Sequence, residues 1–163
     1  GLMSHAQRLL QALPEHQLVI LGDGPMRAWC QSQARAMACS DRIHFHGQCD
    51  SVPAWMQHSE LLLHPARYEG MPNVVLEAMA SGLPVVAFRV EGIRELLGDG
   101  FLDQTAPIGD WDDWLSRVVR LATDATLRRS LGTANRTRAE SSFRLEDQLA
   151  KYLEVWSASN AGC

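Results

Sequence analysis

The sequence has no long hydrophobic run: no apolar stretch approaches the roughly 20 residues that a bilayer-spanning helix requires. Its start also lacks the basic and then apolar order of a secretory signal. Of 163 residues, 46% are hydrophobic and 21% are charged, a balance that excludes disordered and fibrous classes. We therefore expect a single globular domain over residues 1–163 that is cytoplasmic, or peripheral at the inner face of a membrane within a longer protein.

Metal-binding and disulfide patterns are also missing. The chain has four cysteines and no C-x-x-C pair, which favours reduced thiols over a metal or disulfide framework. His44 and His46 share one face of a predicted strand, with His58 and His64 nearby in the sequence, which could suggest a metal site. No cysteine or carboxylate falls at a zinc spacing, so ordinary packing of these histidines is favoured. No metal and no cofactor is expected. The cysteines are Cys30, Cys39, Cys49 and Cys163.

Blocks of like charge are absent as well. The formal net charge of −4 is spread along the chain, which gives no basic surface for a nucleic-acid backbone and no polybasic patch for a membrane. Nucleic acid is therefore excluded as an expected partner.

Short apolar runs alternate with segments of helical periodicity. Continuous apolar strands of this kind are typical of a parallel sheet covered by helices, so we predict an α/β, Rossmann-like fold with helices on both faces of the sheet. The predicted strands are Leu18–Leu21, Arg42–His46, Leu61–Leu63 and Val85–Phe88. The predicted helices are Leu2–Leu13, Met26–Met37, Val52–His58, Asn73–Ser81, a segment past Glu95 that includes Trp111 to Leu121, Ala125–Ala139 and Leu145–Trp156.

Ligands of such sheets bind beyond the carboxyl ends of the strands. Here those ends are the segments Gly22–Pro25, Gly47–Ser51, Pro65–Asn73 and Arg89–Glu95.

One carboxylate stands alone in an apolar segment. Glu77 is the only ionisable side chain between Gly70 and Phe88, on a helix that is apolar on nearly every face. Burying it unpaired would cost several kcal/mol, so it should have a partner, and a ligand hydroxyl is one candidate. The alternative is that Glu77 reaches the surface or pairs with Arg67 or Arg89.

The start of that helix has the features of an anion site. Pro72 lies near the first turn, where its missing N–H matters least. The backbone amides of Met71, Asn73 and Val74 are expected to point out of the helix N-terminus, whose dipole is positive. Free amides and this dipole favour a phosphate group.

A second carboxylate precedes the helix. Glu69, beside Gly70, lies eight positions before Glu77, so the two carboxylates flank the predicted phosphate site. An ionised carboxylate can accept two hydrogen bonds from a vicinal diol. A ligand with a phosphate group between two sets of hydroxyls has the composition of a nucleotide sugar.

The residues EGMPNVVLEAMASGLPVVA, at 69–87, resemble the E-x7-E signature of retaining glycosyltransferases of the GT-B fold, in the large family 4 group. The stretches 18–25, 42–47, 61–65 and 143–156 are also similar to segments of that family. The resemblance thus covers nearly the whole chain, but it concerns only the C-terminal, donor-binding half of such an enzyme.

The resemblance implies transfer of a sugar from a UDP-, GDP- or ADP-sugar to a carbohydrate or lipid-linked acceptor, with retention and without a required metal, in polysaccharide or glycoconjugate biosynthesis. Glu77 would hold the ribose hydroxyls, and Glu69, the implied catalytic residue, would contact the transferred sugar. The other implied donor contacts are Gly70, Met71, Pro72, Asn73 and Val74 around the sugar and diphosphate, Gln48, Cys49 and Asp50 against the base, and Gly22, Asp23 and Gly24 at the neighbouring strand end. Many relatives carry glycine at the position of Pro72, so one amide donor is lost.

Two departures from the family bear on activity. In relatives, a strand and a loop precede the helix that here begins the chain at Gly1, and an Arg and a Lys of that loop bind the diphosphate. Relatives also have an N-terminal domain that holds the acceptor. Without this electrostatic clamp the chain alone is expected to be inactive or nearly so. In the strand order 3-2-1-4-5-6 the absent strand is central. Hence the strands at Val19 and Leu62 either pair directly or keep open inner edges that invite self-association.

Two other functions fit parts of the pattern. Glu69 and Glu77 could be the carboxylate pair of a glycoside hydrolase, although such pairs flank a sugar in an open cleft and not a phosphate-type helix terminus. A non-catalytic nucleotide-binding or assembly module would share every backbone feature described above.

Overall fold

A computed structural model describes residues 1–144, 146–147, 149–150, 153–154 and 156. Within these ranges the chain alternates between strands and helices. The strands are β1 Leu18–Leu21, β2 Ile43–Gly47, β3 Leu62–His64, β4 Val85–Phe88 and β5 Thr105–Ala106. The helices are α1 Met3–Ala12, α2 Arg27–Arg35, α3 Val52–Gln57, α4 Asn73–Ala80, α5 Ile93–Leu97, α6 Phe101–Gln104, α7 Trp111–Thr123 and α8 Ala125–Ser142, with 3-10 turns at Ser40–Arg42 and Gly98–Gly100.

The strands form two parallel sheets flanked by helices, which confirms the predicted fold class. β1 pairs with β2, and β4 pairs with both β3 and β5, all in parallel. All four residues of β4 are fully buried, which explains their continuous apolar sequence. No helix in the described part of the chain is both long and apolar enough to cross a membrane.

The segment after β4 differs from the prediction. β5 has two residues and α5 and α6 have five and four, too short to leave a periodic pattern in the sequence. The predicted helix Leu145–Trp156 lies partly outside the described residues; those of its residues that are described have helical backbone.

The two sheets are separated by a gap between strands β1 and β3. These strands are not hydrogen-bonded to each other, and a cavity of about 910 Å³ is lined by residues of both. Of the two expected outcomes, direct pairing of the strands at Val19 and Leu62 is therefore wrong, and their inner edges are open.

The buried core divides along the same gap. One cluster surrounds β4, and the other lies around β1 and consists of buried residues between Met3 and Ile43. Helix α1 contributes to both, because Leu9 and Leu13 belong to the first cluster whereas Met3, Ala6 and Leu10 belong to the second. This helix therefore joins the two halves of the core.

Arg42 fixes the end of α1 against β2. Its Nη1 donates to the carbonyl oxygens of Leu13 (2.8 Å), Pro14 (3.0 Å) and His16 (3.1 Å), and its Nη2 donates to that of Leu10 (2.8 Å). One guanidinium thus binds a carbonyl of the last helical turn and three carbonyls of the segment that follows it.

Replacing Arg42 by methionine is expected to destabilise the chain by about 1–3 kcal/mol, since the hydrogen bonds from a charged donor are lost while the side-chain volume is largely kept. Urea unfolding monitored by circular dichroism measures this loss. Arg35→Met on α2 is the control, because Arg35 is exposed, and it should change the free energy of unfolding by no more than about 0.5 kcal/mol. Equal effects of the two substitutions would contradict the capping role.

Candidate functional site

The carboxyl ends of β1 and β2 meet at Gly22. This residue has φ +100°, and its N–H donates to the carbonyl of Gly47 at 2.6 Å. The Asp23 carboxylate is used locally: it accepts from the Gly24 N–H at 2.8 Å and pairs with Arg27 at 3.2 Å. The backbone of this turn, and not the Asp23 side chain, is therefore what the strand ends offer to a ligand.

Helix α4 begins without a side-chain cap. Pro72 precedes it in an extended conformation, and its carbonyl accepts from the Val75 N–H at 3.0 Å. No group among the described residues accepts a hydrogen bond from the amides of Met71, Asn73 or Val74. These three amides therefore have no acceptor within the described part of the chain, and their predicted binding of an anion stays a prediction.

The loop before α4 is supported by Gly92, at the start of α5. Gly92 has φ +77°, and a Cβ built there would lie 2.0 Å from the carbonyl oxygen of Gly70 and 2.9 Å from the Cα of Met71. Only a glycine permits this close approach of two backbones. Sequence reasoning placed this segment at a strand end but missed the role of Gly92, since the contact joins residues far apart along the chain.

Glu77 is exposed, which confirms the alternative that this carboxylate reaches the surface and excludes a desolvated position on the apolar face of the helix. The buried residues of α4 are Val75, Ala78 and Met79, and Glu77 lies on the other face of the helix. It does not pair with Arg89, which donates instead to Thr105 Oγ1 at 3.3 Å. Glu77 has no hydrogen-bond or ion-pair partner among the described residues, and its carboxylate is available to a ligand.

Glu69 lies next to a buried histidine. Its side chain is 39% exposed, and its Oε1 is 4.0 Å from Nε2 of His64, the last residue of β3. The His64 side chain is only 11% exposed, and its Nε2 is buried with no hydrogen-bond partner among the described residues. Burial lowers the pKa of His64 below its ordinary value of 6.5, although the Glu69 carboxylate raises it in part. His64 is therefore neutral at pH 7.

The cavity between β1 and β3 brings part of the predicted site together. Its lining is mostly apolar and includes Glu77 of α4 and His64 of β3, together with Glu15, His16, His58 and Glu60. Of the predicted residues it is lined by Gly22, Gln48, Cys49, Val74 and Glu77, and it is also lined by His64, which sequence reasoning treated as an ordinary packing residue. The predicted residues outside this lining are Asp23, Gly24, Asp50, Glu69, Gly70, Met71, Pro72 and Asn73.

This arrangement can bind a ligand that combines an anion with hydroxyl groups. The amides at the start of α4 suit the anion, and the flanking carboxylates suit the hydroxyls. Ligand sites of parallel α/β sheets commonly lie at this edge.

Residues 2–124 match the family described as Glycosyl transferases group 1, and the chain belongs to this family. Among curated relatives, N-acetyl-alpha-D-glucosaminyl L-malate synthase of Bacillus anthracis is 29% identical over 140 residues, which cover 86% of this chain and 37% of the relative.

Solved structures of glycosyltransferases have the same fold. TarM of S. aureus, solved as a variant in complex with fondaparinux, alpha-GlcNAc-glycerol and UDP, superposes with a TM-score of 0.88 at 19% identity, covering 94% of this chain and 31% of TarM. HepE of Anabaena, solved with UDP-glucose, superposes with a TM-score of 0.81 at 21% identity, covering 92% of this chain and 44% of HepE. The chain thus corresponds to less than half the length of each of these proteins, and its architecture is that of GT-B glycosyltransferases.

Proposed function

We propose that this chain is the C-terminal, donor-binding half of a retaining glycosyltransferase of family 4, which transfers a sugar from a nucleotide-diphosphate sugar to an acceptor in polysaccharide or glycoconjugate biosynthesis. The observation that carries this proposal is the uncapped N-terminus of α4, with free amides between Glu69 and Glu77. Family membership supports the reaction type, and the UDP-glucose complex of HepE supports the donor class.

In this proposal each part of the site binds one part of the donor. Glu77 accepts hydrogen bonds from the ribose hydroxyls, and Glu69 accepts them from the transferred sugar. The amides of Met71, Asn73 and Val74 bind the diphosphate. Residues 48–50 lie against the base, and the turn at 22–24 borders them.

The chemistry that follows is electrostatic. Bond cleavage leaves negative charge on the diphosphate, and the N-terminus of α4 stabilises it through aligned amides. The transferred sugar passes through an oxocarbenium-like state, and the leaving phosphate assists deprotonation of the acceptor. In this scheme the chain supplies positioning and no general base, and the family resemblance implies that no metal is required.

The donor-binding half needs cationic help from the rest of the enzyme. The family resemblance implies a cationic clamp for the diphosphate on a segment outside this sequence, and no Arg or Lys lines the cavity in the described part of the chain. We propose that the strand carrying this clamp occupies the apolar part of the gap between β1 and β3, and that the donor binds at the carboxyl ends of these strands. The 163-residue chain alone should then bind donor weakly and transfer no sugar. The enzyme would act in the cytoplasm, with the acceptor held by a second domain.

Replacing Glu77 by alanine in the full-length enzyme is expected to raise the donor Kd about 10- to 100-fold, because hydrogen bonds to an ionised carboxylate are worth roughly 1.5–3 kcal/mol. Isothermal titration with UDP-, GDP- and ADP-glucose measures this change. The control is Glu140→Ala, since Glu140 is an exposed carboxylate on α8 paired with Arg136. An unchanged donor Kd would remove the ribose role of Glu77.

A transfer assay on the full-length protein tests the function itself. Transfer from a nucleotide sugar with the anomeric configuration kept supports the proposal. Nucleotide binding without transfer or donor hydrolysis would instead indicate a non-catalytic module, and release of reducing sugar from a simple glycoside would indicate a hydrolase.

A further inference from the structure

His64 occupies a position that the proposed donor contacts leave unexplained. It is the last residue of β3, at the carboxyl edge where the ligand is expected, and its ring lines the same cavity as Glu77. Its Nε2 is 4.0 Å from Oε1 of Glu69, the carboxylate proposed to bind the transferred sugar. His64 is therefore adjacent to a carboxylate that the proposed donor site uses.

The Nε2 atom of His64 lacks the hydrogen-bond partner that a buried polar atom normally has. The atom is buried, and no group among the described residues is within hydrogen-bond distance. Buried polar atoms are nearly always hydrogen-bonded, because an unpaired one loses its interaction with water and gains nothing in return. Since His64 ends β3 at the carboxyl edge of the sheet and its Nε2 is near Glu69, a ligand hydroxyl bound beside Glu69 can supply the missing partner.

We propose that His64 is a second binding residue for the transferred sugar: its Nε2–H donates to the hydroxyl group whose own hydrogen is donated to the Glu69 carboxylate. This inference rests on the proposed function, since it assigns a further contact within the same donor site. His64 acts by holding the sugar and not by moving a proton.

The distance between the two groups fits a shared hydroxyl. Nε2 and Oε1 are 4.0 Å apart, which is too long for a direct hydrogen bond. If a hydroxyl oxygen lies about 2.8 Å from each atom, the angle Nε2–O–Oε1 at that oxygen is roughly 90°. A small adjustment of the exposed Glu69 side chain widens this angle to the tetrahedral value. The sugar hydroxyl then accepts a hydrogen bond from the imidazole and donates one to the carboxylate, so it acts both as an acceptor and as a donor.

The protonation state is consistent with this role. Burial lowers the pKa of His64 and keeps the imidazole neutral at pH 7, and a neutral imidazole with hydrogen on Nε2 donates a single hydrogen bond. A positively charged ring would instead form a direct ion pair with Glu69 and compete with the sugar.

The test compares nucleotides with nucleotide sugars on the full-length enzyme. Titration with UDP, GDP and ADP first identifies the nucleotide that binds; the same nucleotide linked to glucose, galactose, mannose or N-acetylglucosamine then identifies the donor. The variants are His64→Leu, His64→Gln, Glu69→Gln and the His64→Leu/Glu69→Gln double variant. His44→Leu is the control, because His44 is an exposed histidine on β2.

We expect His64→Leu to weaken binding of the nucleotide sugar about 10-fold, as loss of one neutral hydrogen bond predicts, and to leave the Kd of the free nucleotide within about twofold. His64→Gln, which keeps an amide donor, should recover part of the loss. The double variant should lose less than the sum of the single variants, because both residues bind one hydroxyl.

Three results would overturn the proposal, and each is distinct. Equal loss for the nucleotide and the nucleotide sugar would indicate that His64 only supports the fold. Unchanged binding of the sugar in both His64 variants would remove the contact while leaving the proposed function intact. Failure of the wild-type enzyme to bind any nucleotide sugar would overturn the proposed function together with this inference. If His64→Leu does not fold, His64→Gln carries the comparison, and an unchanged ratio of the two affinities in that variant counts against the contact.

Discussion

Replacing Gly92 by alanine is expected to lower the free energy of unfolding by about 2–4 kcal/mol, the sum of two costs. The first is the left-handed backbone at φ +77°, which costs a residue with a Cβ roughly 1–2 kcal/mol. The second is the overlap of the new Cβ with the carbonyl oxygen of Gly70, only 2.0 Å away. Since both contacting groups are backbone, the loop before α4 must move.

The functional consequence of the same substitution is displacement of the loop that carries Glu69. Donor affinity should therefore fall further than for a variant that is destabilised elsewhere. Urea unfolding and titration with the nucleotide sugar measure the two effects in the full-length enzyme.

Gly109→Ala is a matched control for this substitution. Gly109 also has a positive φ, +82°, but the nearest atom to a Cβ placed there would be Nη2 of Arg67 at 3.9 Å, an ordinary contact. This variant should show only the backbone cost of roughly 1–2 kcal/mol and bind donor normally. Equal losses of stability and affinity in the two variants would show that the close approach of Gly92 to Gly70 has no energetic role.

Replacing Gln104 by methionine is expected to destabilise the chain by about 2–4 kcal/mol, because it leaves several buried polar groups without partners. Gln104 is fully buried at the end of α6. Its Oε1 accepts from the Val85 N–H and from Asn135 Nδ2, both at 2.8 Å, and its Nε2 donates to Asn135 Oδ1 at 3.0 Å. Asn135 in turn donates to the carbonyl of Leu83 at 2.9 Å, so this network ties α8 to the start of β4.

Urea unfolding measures the effect, and Gln33→Met on α2 is the control because Gln33 is exposed. The control should change stability by no more than about 0.5 kcal/mol. Hydrogen exchange at the Val85 amide provides a local measurement, since that N–H loses its acceptor in Gln104→Met. A loss of stability as small as that of the control would mean that water replaces the missing partner.

Much of this fold could be predicted from local patterns. The strands β1, β3 and β4 begin with short apolar runs followed by glycine, proline or a polar loop, as buried parallel strands require, whereas β2 could be predicted from its alternation of apolar and polar residues. The start of α4 at Asn73 could also be predicted, since Pro72 suits the position before the first helical turn.

The exposure of Glu77 could not be predicted in the same way. The segment Val74 to Met79 is apolar on nearly every side, so its sequence does not indicate which face is buried. The burial of Val75, Ala78 and Met79 is decided by the packing of α4 against the strands and α8. The close approach of Gly92 to Gly70 and the environment of His64 likewise depend on contacts between segments that are distant in sequence.

The division of the core into two clusters predicts that the two halves of the domain unfold locally to different extents. Among the described residues, 23 buried hydrophobic residues belong to the cluster around β4 and seven to the cluster around β1. Local opening is easiest where few apolar contacts hold an element, so amide hydrogens of β1 and β2 should exchange with solvent before those of β4. Gly22, Gln48 and Cys49 lie on the half that opens first, and the amides of α4 lie on the half that stays closed. A ligand that contacts both halves would slow exchange in β1 and β2, and part of its binding energy would be spent on ordering them.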